Sequence, residues 1–290
     1  MDVQKWLNVE KTDLSGKLVV LTGATGGLGS AMSRLLLSFG ARLVMINRDK
    51  EKSEKLTASL KQEFPRGEVR YLLCDLNDLE GVKKLTASLQ DLPIDILMLN
   101  AGTYAIPRAL SSAGFDTVFQ VNFLSHYYMV KALLPLLKKR KAKVIATGSI
   151  AHRFHAVDFK DPDYAHHEGA NDIYGNSKRF LIFALMELLH KENVPFAVGH
   201  PGISFTGITS NYPPRALKIV KPSMLLLFMH PEKACLSMVK AIFEDVPYLH
   251  WIGPRHFDIW GKPQCKVLDS CPREERVRIL ETAEEMVKRI

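Results

Sequence analysis

At 290 residues, with 47% hydrophobic and 24% charged side chains, the chain has the composition of an ordered globular protein, which excludes disorder as its main state. That length buries a substantial core, as one large α/β domain or as two small ones. Lys and Arg number 39 against 31 Asp and Glu, a net charge of +8; no nucleic-acid motif accompanies this excess, whose cations can instead attract anionic cofactors or a membrane surface.

The amino-terminal stretch MDVQKWLNVEKTDLSGKLVVLTG is too polar for a secretory signal, and no apolar run reaches the roughly 18 residues that span a bilayer. A cytosol-facing soluble protein is expected, with peripheral contact to a membrane left open. Lys17 to Thr22 reads as a buried strand, followed by the glycine-rich GATGGLG and by SAMSRLLLSF, whose apolar positions suit a helix packed on a sheet. Gly40 closes that helix and Arg42 to Ile46 supplies a second strand, completing a right-handed βαβ unit. The cycle repeats with a charged helix over Lys50 to Phe64, a strand over Val69 to Cys74, a helix over Asp78 to Leu89 and a strand over Ile94 to Leu99. A long helix is expected from Phe115 to Leu137, followed by the strand Val144 to Thr147, a helix from Ile173 to about Lys191 and the strand Val194 to His200. The cations Lys138 to Lys141 read as a solvated helix end facing the negative pole of the dipole. This alternation predicts an α/β fold of the Rossmann type, one doubly wound parallel sheet with helices on both faces.

Beyond His200 the rhythm breaks. Pro201 to Lys221 reads as loop or short helices, followed by an apolar patch over Met224 to Met229, a helix over Pro231 to Phe243 and a last strand over Tyr248 to Ile252. In the tail Pro272 to Ile290, the residues Val277, Leu280, Ala283, Val287 and Ile290 fall near one face of an amphipathic helix. No repeat or low-complexity linker divides the chain, so a single domain over 1–290 is expected. Cys74, Cys235, Cys265 and Cys271 show neither metal spacing nor a disulfide context, and no metal is required.

The loop Thr22-Gly23-Ala24-Thr25-Gly26-Gly27-Leu28-Gly29 lets a diphosphate approach the backbone, with exposed amides and the positive end of the next helix favouring its charge; purely structural glycine turns also look like this. Asn47 and Arg48 end the second strand. An adenosine ribose with free hydroxyls is usually met there by an acid, whereas a 2′-phosphate needs room and a cation, so this pair favours NADP(H) over NAD(H), with Lys52 a weaker helper. The alternative is an Arg48 that points only into solvent. Asp75 can accept from an adenine amino group, and Asn100-Ala101-Gly102 lets a nucleotide pass close to the backbone.

Tyr174 and Lys178, four apart, share a helical face, and Ser149 leaves a strand end nearby. A free phenol has a pKa of about 10, so Tyr174 needs a stabilising field to exchange protons near neutrality, which Lys178 can supply. Ser149 can hydrogen-bond a substrate oxygen, and Asn122, inside the long helix, can hold a water linked to Lys178. Each has a plain structural alternative, from a packed tyrosine to a solvated lysine; their order behind a nucleotide loop favours chemistry.

These residues make the sequence resemble the short-chain dehydrogenase/reductase family over roughly Ser15 to Thr206. TGATGGLG is similar to that family's TGxxxGxG loop, Asn100-Ala101-Gly102 to its NAG element, and Asn122, Ser149, Tyr174 and Lys178 to its catalytic tetrad. Pro201-Gly202 with Thr206 resembles its PGxxxT segment, which implies contacts on the nicotinamide side. Within the family the chain is similar to retinol dehydrogenases and WW-domain oxidoreductases, with Asn47-Arg48 resembling a Cys-Arg pair of NADP-preferring members and Thr25-Gly26 departing from the frequent Asn-Thr pair. The resemblance implies reversible carbonyl reduction by hydride transfer, with Tyr174 as proton donor, Ser149 orienting the oxygen and Lys178 with Asn122 as relay. It implies a lipophilic retinoid-like or steroid-like substrate and hence a place in lipid metabolism, a variable substrate-side segment over 203–230, a carboxy-terminal helix over 272–290, and a homodimer through the two long helices. His152, Phe154, His155 and the segment Phe205 to Met229 are candidates to surround the substrate. A cytosolic xenobiotic carbonyl or quinone reductase, and an NADP-binding regulatory or scaffold protein with little turnover, stand as alternatives.

Overall fold

In the computed structural model, which describes residues 2–154, 156–203 and 229–290, eight strands form one sheet. The strands are β1 (Leu18–Thr22), β2 (Arg42–Asn47), β3 (Val69–Leu73), β4 (Ile94–Leu99), β5 (Lys143–Thr147), β6 (Phe196–Gly199), β7 (His250–His256) and β8 (Trp260–Val267). They lie in the order β3-β2-β1-β4-β5-β6-β7-β8, all neighbours parallel except β7 and β8. The order reverses between β1 and β4, where doubly wound sheets open a crevice at the carboxyl ends of the strands.

The central strands are continuous apolar runs because both faces are covered. Leu18, Val20, Leu97, Leu99, Val144 and Ala146 enter the core on one face, while Val19, Leu21, Ile96, Met98 and Ile145 enter the other. The second face is covered by α1 (Val3–Leu7), α2 (Gly27–Ser38) and α3 (Lys50–Glu63) and, later in the chain, by α8 (Pro231–Ala234) and α9 (Leu236–Phe243). The first face carries α4 (Leu79–Leu89), α5 (Thr117–Phe119), α6 (Ser125–Arg140), α7 (Ala170–Lys191) and α10 (Arg273–Lys288). Asp49 starts α3 by accepting from the Lys52 amide at 3.0 Å, and Asp116 caps α5 through the amides of Val118 and Phe119. At the end of α6, Lys138 pairs with Glu192 and Arg140 with Asp95, as a solvated helix end should. Among the described residues no helix is long and apolar enough to cross a membrane.

Four expectations change. The single helix over Phe115 to Leu137 is broken into α5, a π-helical turn over Gln120–Leu124 and α6, and Asn122 sits in that wider turn. Such turns open the backbone ladder and gather at functional sites. The strand after α9 is not the last: β8 returns antiparallel along it and closes that edge, with Pro263 tolerated because an edge strand need not donate on its outer side. The helix over Pro231 to Phe243 is divided at Cys235. In α10 Ala283 is buried and Leu280, Val287 and Ile290 pack partly buried against the core as expected, but Val277 is 41% exposed and Arg276, Ile279 and Met286 join the buried face. Arg276 can be buried because its Nε donates to Glu187 at 2.7 Å.

Candidate active site

The glycine loop follows β1 and lies against the end of β4. Gly23 has φ +68°, and a β-carbon there would meet Ala101 Cα at 2.8 Å, so only glycine allows this approach. Gly29 packs under the loop: its β-carbon would fall 2.2 Å from the Gly23 carbonyl oxygen. A β-carbon on Gly26 would meet only that oxygen, at 3.5 Å, and no side chain caps the start of α2. Gly26 and Gly27 are exposed, with Thr25 and Leu28 half-buried beside them. The helix start thus offers backbone donors to an anion.

Polar side chains stretch the loop into this shape. Asn100 Nδ2 donates to the carbonyls of Thr22 and Gly23 at 3.1 and 3.2 Å, while the Thr22 hydroxyl accepts from the amides of Asn100 and Ala101 at 2.9 and 3.0 Å. Asn47 is turned inward, its Oδ1 accepting from the Thr25 amide at 3.3 Å. Its Nδ2 is buried with no partner among the described residues. Arg48 is exposed and has no ion pair among the described residues. Lys52, the expected helper, is already held by Asp49 at 3.3 Å. Asp75 is exposed just past β3, its carboxylate accepting from the Asn77 amide at 2.9 Å.

The catalytic candidates converge where β4, β5 and α7 meet. Gly102 marks the spot, since a β-carbon on it would lie 3.2 Å from Asn122 Oδ1 and 3.5 Å from Lys178 Nζ. Fully buried Asn122 clamps the chain after β4: Oδ1 accepts from the Thr103 amide at 2.7 Å, and Nδ2 donates to the Thr103 carbonyl and to Ser177 Oγ, both at 3.0 Å. Its side chain thereby ties the segment after β4 to α7. Lys178 Nζ is buried, donates to the Thr147 carbonyl at 2.9 Å and stands 5.8 Å from the centre of the Tyr174 ring. Desolvation lowers its pKa from 10.5 to about 8.

Tyr174 is half-buried, and burial raises its phenol above the ordinary value while a hydrogen bond with Ser149 pulls the other way. Lys178 Nζ, 5.8 Å from the ring centre, is the nearby cation that the expectation of a stabilising field rests on. The phenol stands protonated at neutral pH beside the Ser149 hydroxyl, an arrangement suited to giving up a proton. The ring of Tyr104 meets that of Tyr174 edge-on, with centres 5.2 Å apart, and its hydroxyl donates to Asn171.

One expected substrate contact is reassigned. His152 is fully buried and points back into the protein, because its Nδ1 donates to the Ser149 carbonyl and its Nε2 accepts from Ser270 Oγ at 2.9 Å. Phe154 is 67% exposed. Pro201 is half-buried, and Gly202, at φ +75°, lies so close to the turn before β8 that a β-carbon would come within 2.4 Å of the Ile259 carbonyl oxygen. Thr206, His155 and 204–228 lie outside the described residues. Among the described residues no group of three or more His, Cys, Asp or Glu is placed to hold a metal.

Sequence reading missed His126. It is fully buried, donates from Nδ1 to the Asn122 carbonyl at 3.2 Å and accepts at Nε2 from the Thr22 hydroxyl at 3.0 Å. The available signal was its place four residues after Asn122, on the same helical face.

Comparison with known proteins finds a family model described as short chain dehydrogenase matching residues 17–160. A short-chain dehydrogenase/reductase of Armillaria gallica is 30% identical, the alignment covering 74% of each protein. Retinol dehydrogenase 14 of Mus musculus is 31% identical over 67% of this chain and 63% of its own length. Among solved structures, the Pseudomonas aeruginosa RhlG/NADP active-site complex superposes with a TM-score of 0.63 at 26% identity, covering 80% of this chain and 91% of that one.

Proposed function

We propose that this chain, which belongs to the short-chain dehydrogenase/reductase family, is an NADP-dependent oxidoreductase that interconverts a lipophilic carbonyl and its alcohol. The observation that carries the reading is the Ser149–Tyr174 hydroxyl pair, set beside buried Lys178. Tyr174 holds a proton that a developing alkoxide can take, and Ser149 hydrogen-bonds the same oxygen. Lys178, with a pKa of about 8, can replace a proton lost from the site. Asn122 fixes the Thr103 backbone next to Gly102 and so keeps the floor of the crevice open. Bound NADPH supplies the hydride.

The residues present fit that cofactor. The uncapped start of α2 suits a diphosphate, and exposed Arg48 suits a 2′-phosphate at the end of β2, where neutral Asn47 turns inward. The NADP named for the RhlG complex supports the same choice. The likeness to retinol dehydrogenase 14 supports a lipophilic alcohol or aldehyde such as a retinoid. Tyr174→Phe tests the assignment: turnover of NADPH across a panel of carbonyls should disappear while NADPH affinity is kept. Turnover equal to that of the unmodified protein would refute it.

A further inference from the structure

The strand end that carries Ser149 is held from a distance by the carboxy-terminal segment. Ser149 begins a short 3-10 turn, Ile150–Arg153, accepting through Oγ from the Ala151 amide at 3.2 Å. His152, inside that turn, fastens its own start by donating from Nδ1 to the Ser149 carbonyl. A carbonyl only accepts, so Nδ1 carries the proton and Nε2 must accept, which it does from Ser270 Oγ at 2.9 Å. His152 is also walled in by Phe183 and Trp251, whose rings it meets edge-on at 5.8 and 5.3 Å.

Arg179 completes the connection. It follows Lys178 on α7, its side chain is 5% exposed, and its guanidinium makes four hydrogen bonds. Two go to Glu275 of α10 at 2.7 Å each, one to the His152 carbonyl at 2.8 Å and one to the Ser270 carbonyl at 3.0 Å. A buried guanidinium stays in place only while its charge is matched, and Glu275 matches it with a bidentate pair. α10 is itself fixed along α7 by Arg276 on Glu187 at 2.7 Å and by Ile279, Ala283 and Met286 in the core.

We propose that Ser270 and Glu275 are positioning residues for the reaction: through His152 and Arg179 they hold the turn that aims the Ser149 hydroxyl at Tyr174. The role rests on the carbonyl–alcohol reading above, and it makes the carboxy-terminal helix a working part of the active site. Without Glu275 the guanidinium turns toward water and releases the His152 carbonyl. Without the Ser270 hydroxyl the imidazole loses the partner that keeps its Nδ1 on Ser149.

Full-length Glu275→Ala, Ser270→Ala and Ser270→Thr separate this from general structural support. For both alanine variants kcat should fall roughly tenfold or more, because small displacements of a reacting group are expensive in rate. The Kd for NADPH should stay within about threefold, since the glycine loop lies elsewhere. Ser270→Thr, which keeps the hydroxyl, should restore kcat. Amide exchange over residues 150–154 should quicken in both alanine variants. Values of kcat within about twofold of the parent for both, or equal losses in kcat and NADPH affinity, would overturn the proposal. Should Glu275→Ala fail to fold, Ser270→Ala decides. Should the parent turn over no carbonyl, the functional reading falls and amide exchange alone decides the clamp, unchanged exchange refuting it.

Discussion

The Thr22 hydroxyl lies 3.0 Å from His126 Nε2, and this contact ties the start of the glycine loop to the π-helical turn that carries Asn122. Burial drives the pKa of His126 from 6.5 down to about 4, so the ring is neutral under ordinary conditions and can accept. Its other nitrogen donates to the Asn122 carbonyl, and the Thr22 oxygen collects the amides of Asn100 and Ala101. One hydroxyl thus joins β1, β4 and the turn that carries Asn122.

Thr22→Val keeps the shape and deletes the hydroxyl. It leaves two amides without an acceptor and His126 Nε2 without a donor, at a cost of about 2–3 kcal/mol for buried polar groups. The urea midpoint should drop accordingly, and NADPH binding should weaken because the loop is no longer pinned. A midpoint equal to that of the unmodified protein would show that the network is dispensable.

How much of this was open to sequence reading depends on the kind of signal. β1, β4 and β5 are legible because strands covered on both faces must be apolar throughout. Tyr174 and Lys178 are legible because four residues make one helical turn. β8 was not, since WGKPQCKV has neither alternation nor a continuous apolar run, and its pairing depends on the hairpin with β7. The π turn was not, because a five-residue change of pitch leaves no periodic trace. Arg276 reads as a surface cation and is buried because Glu187 and the Cys271 carbonyl meet it, while Val277 on the same helix stays exposed. The link from Ser270 and Glu275 to Ser149 joins residues more than a hundred positions apart, and only packing brings them together.

The proposed preference for NADP over NAD rests on Arg48. It is exposed at the end of β2 and free of ion pairs among the described residues, so its charge is available to a 2′-phosphate. Arg48→Ala should raise the KM for NADPH roughly 10- to 100-fold, the loss of a hydrogen-bonded charge pair, and change the KM for NADH by about twofold or less. Equal effects on both cofactors would remove the basis for NADP preference.

Gly29 and Gly26 sit in the same loop with opposite tolerances. A β-carbon on Gly29 would press to 2.2 Å on the Gly23 oxygen and 2.6 Å on Ala24 Cα, whereas on Gly26 its nearest neighbour is 3.5 Å away. Gly29→Ala should therefore cost roughly 2–3 kcal/mol in urea unfolding, as overpacking does, and Gly26→Ala almost nothing. Identical midpoints for the two variants would contradict the packing of α2 beneath the loop.

Lys178 makes stability and turnover depend on pH in a calculable direction. Its pKa falls from 10.5 in the open chain to about 8 in the fold, because burial disfavours the ammonium. Below pH 8 both states carry the proton and the fold bears the full penalty. Between pH 8 and 10.5 the folded lysine is neutral while the unfolded one is still charged, so the penalty fades and is gone above 10.5. Lys178→Met removes the group, and its stability advantage over the unmodified protein should be larger at pH 7 than at pH 10.5 by about 3 kcal/mol. In the proposed carbonyl reduction Lys178 restores a proton, so the rate should fall as pH rises through about 8. The difference between the two unfolding curves, followed against pH, checks the first point, and single-turnover reduction with saturating NADPH checks the second. A stability difference that stays constant from pH 7 to 10.5 would mean that the Lys178 ammonium carries no burial penalty in the fold.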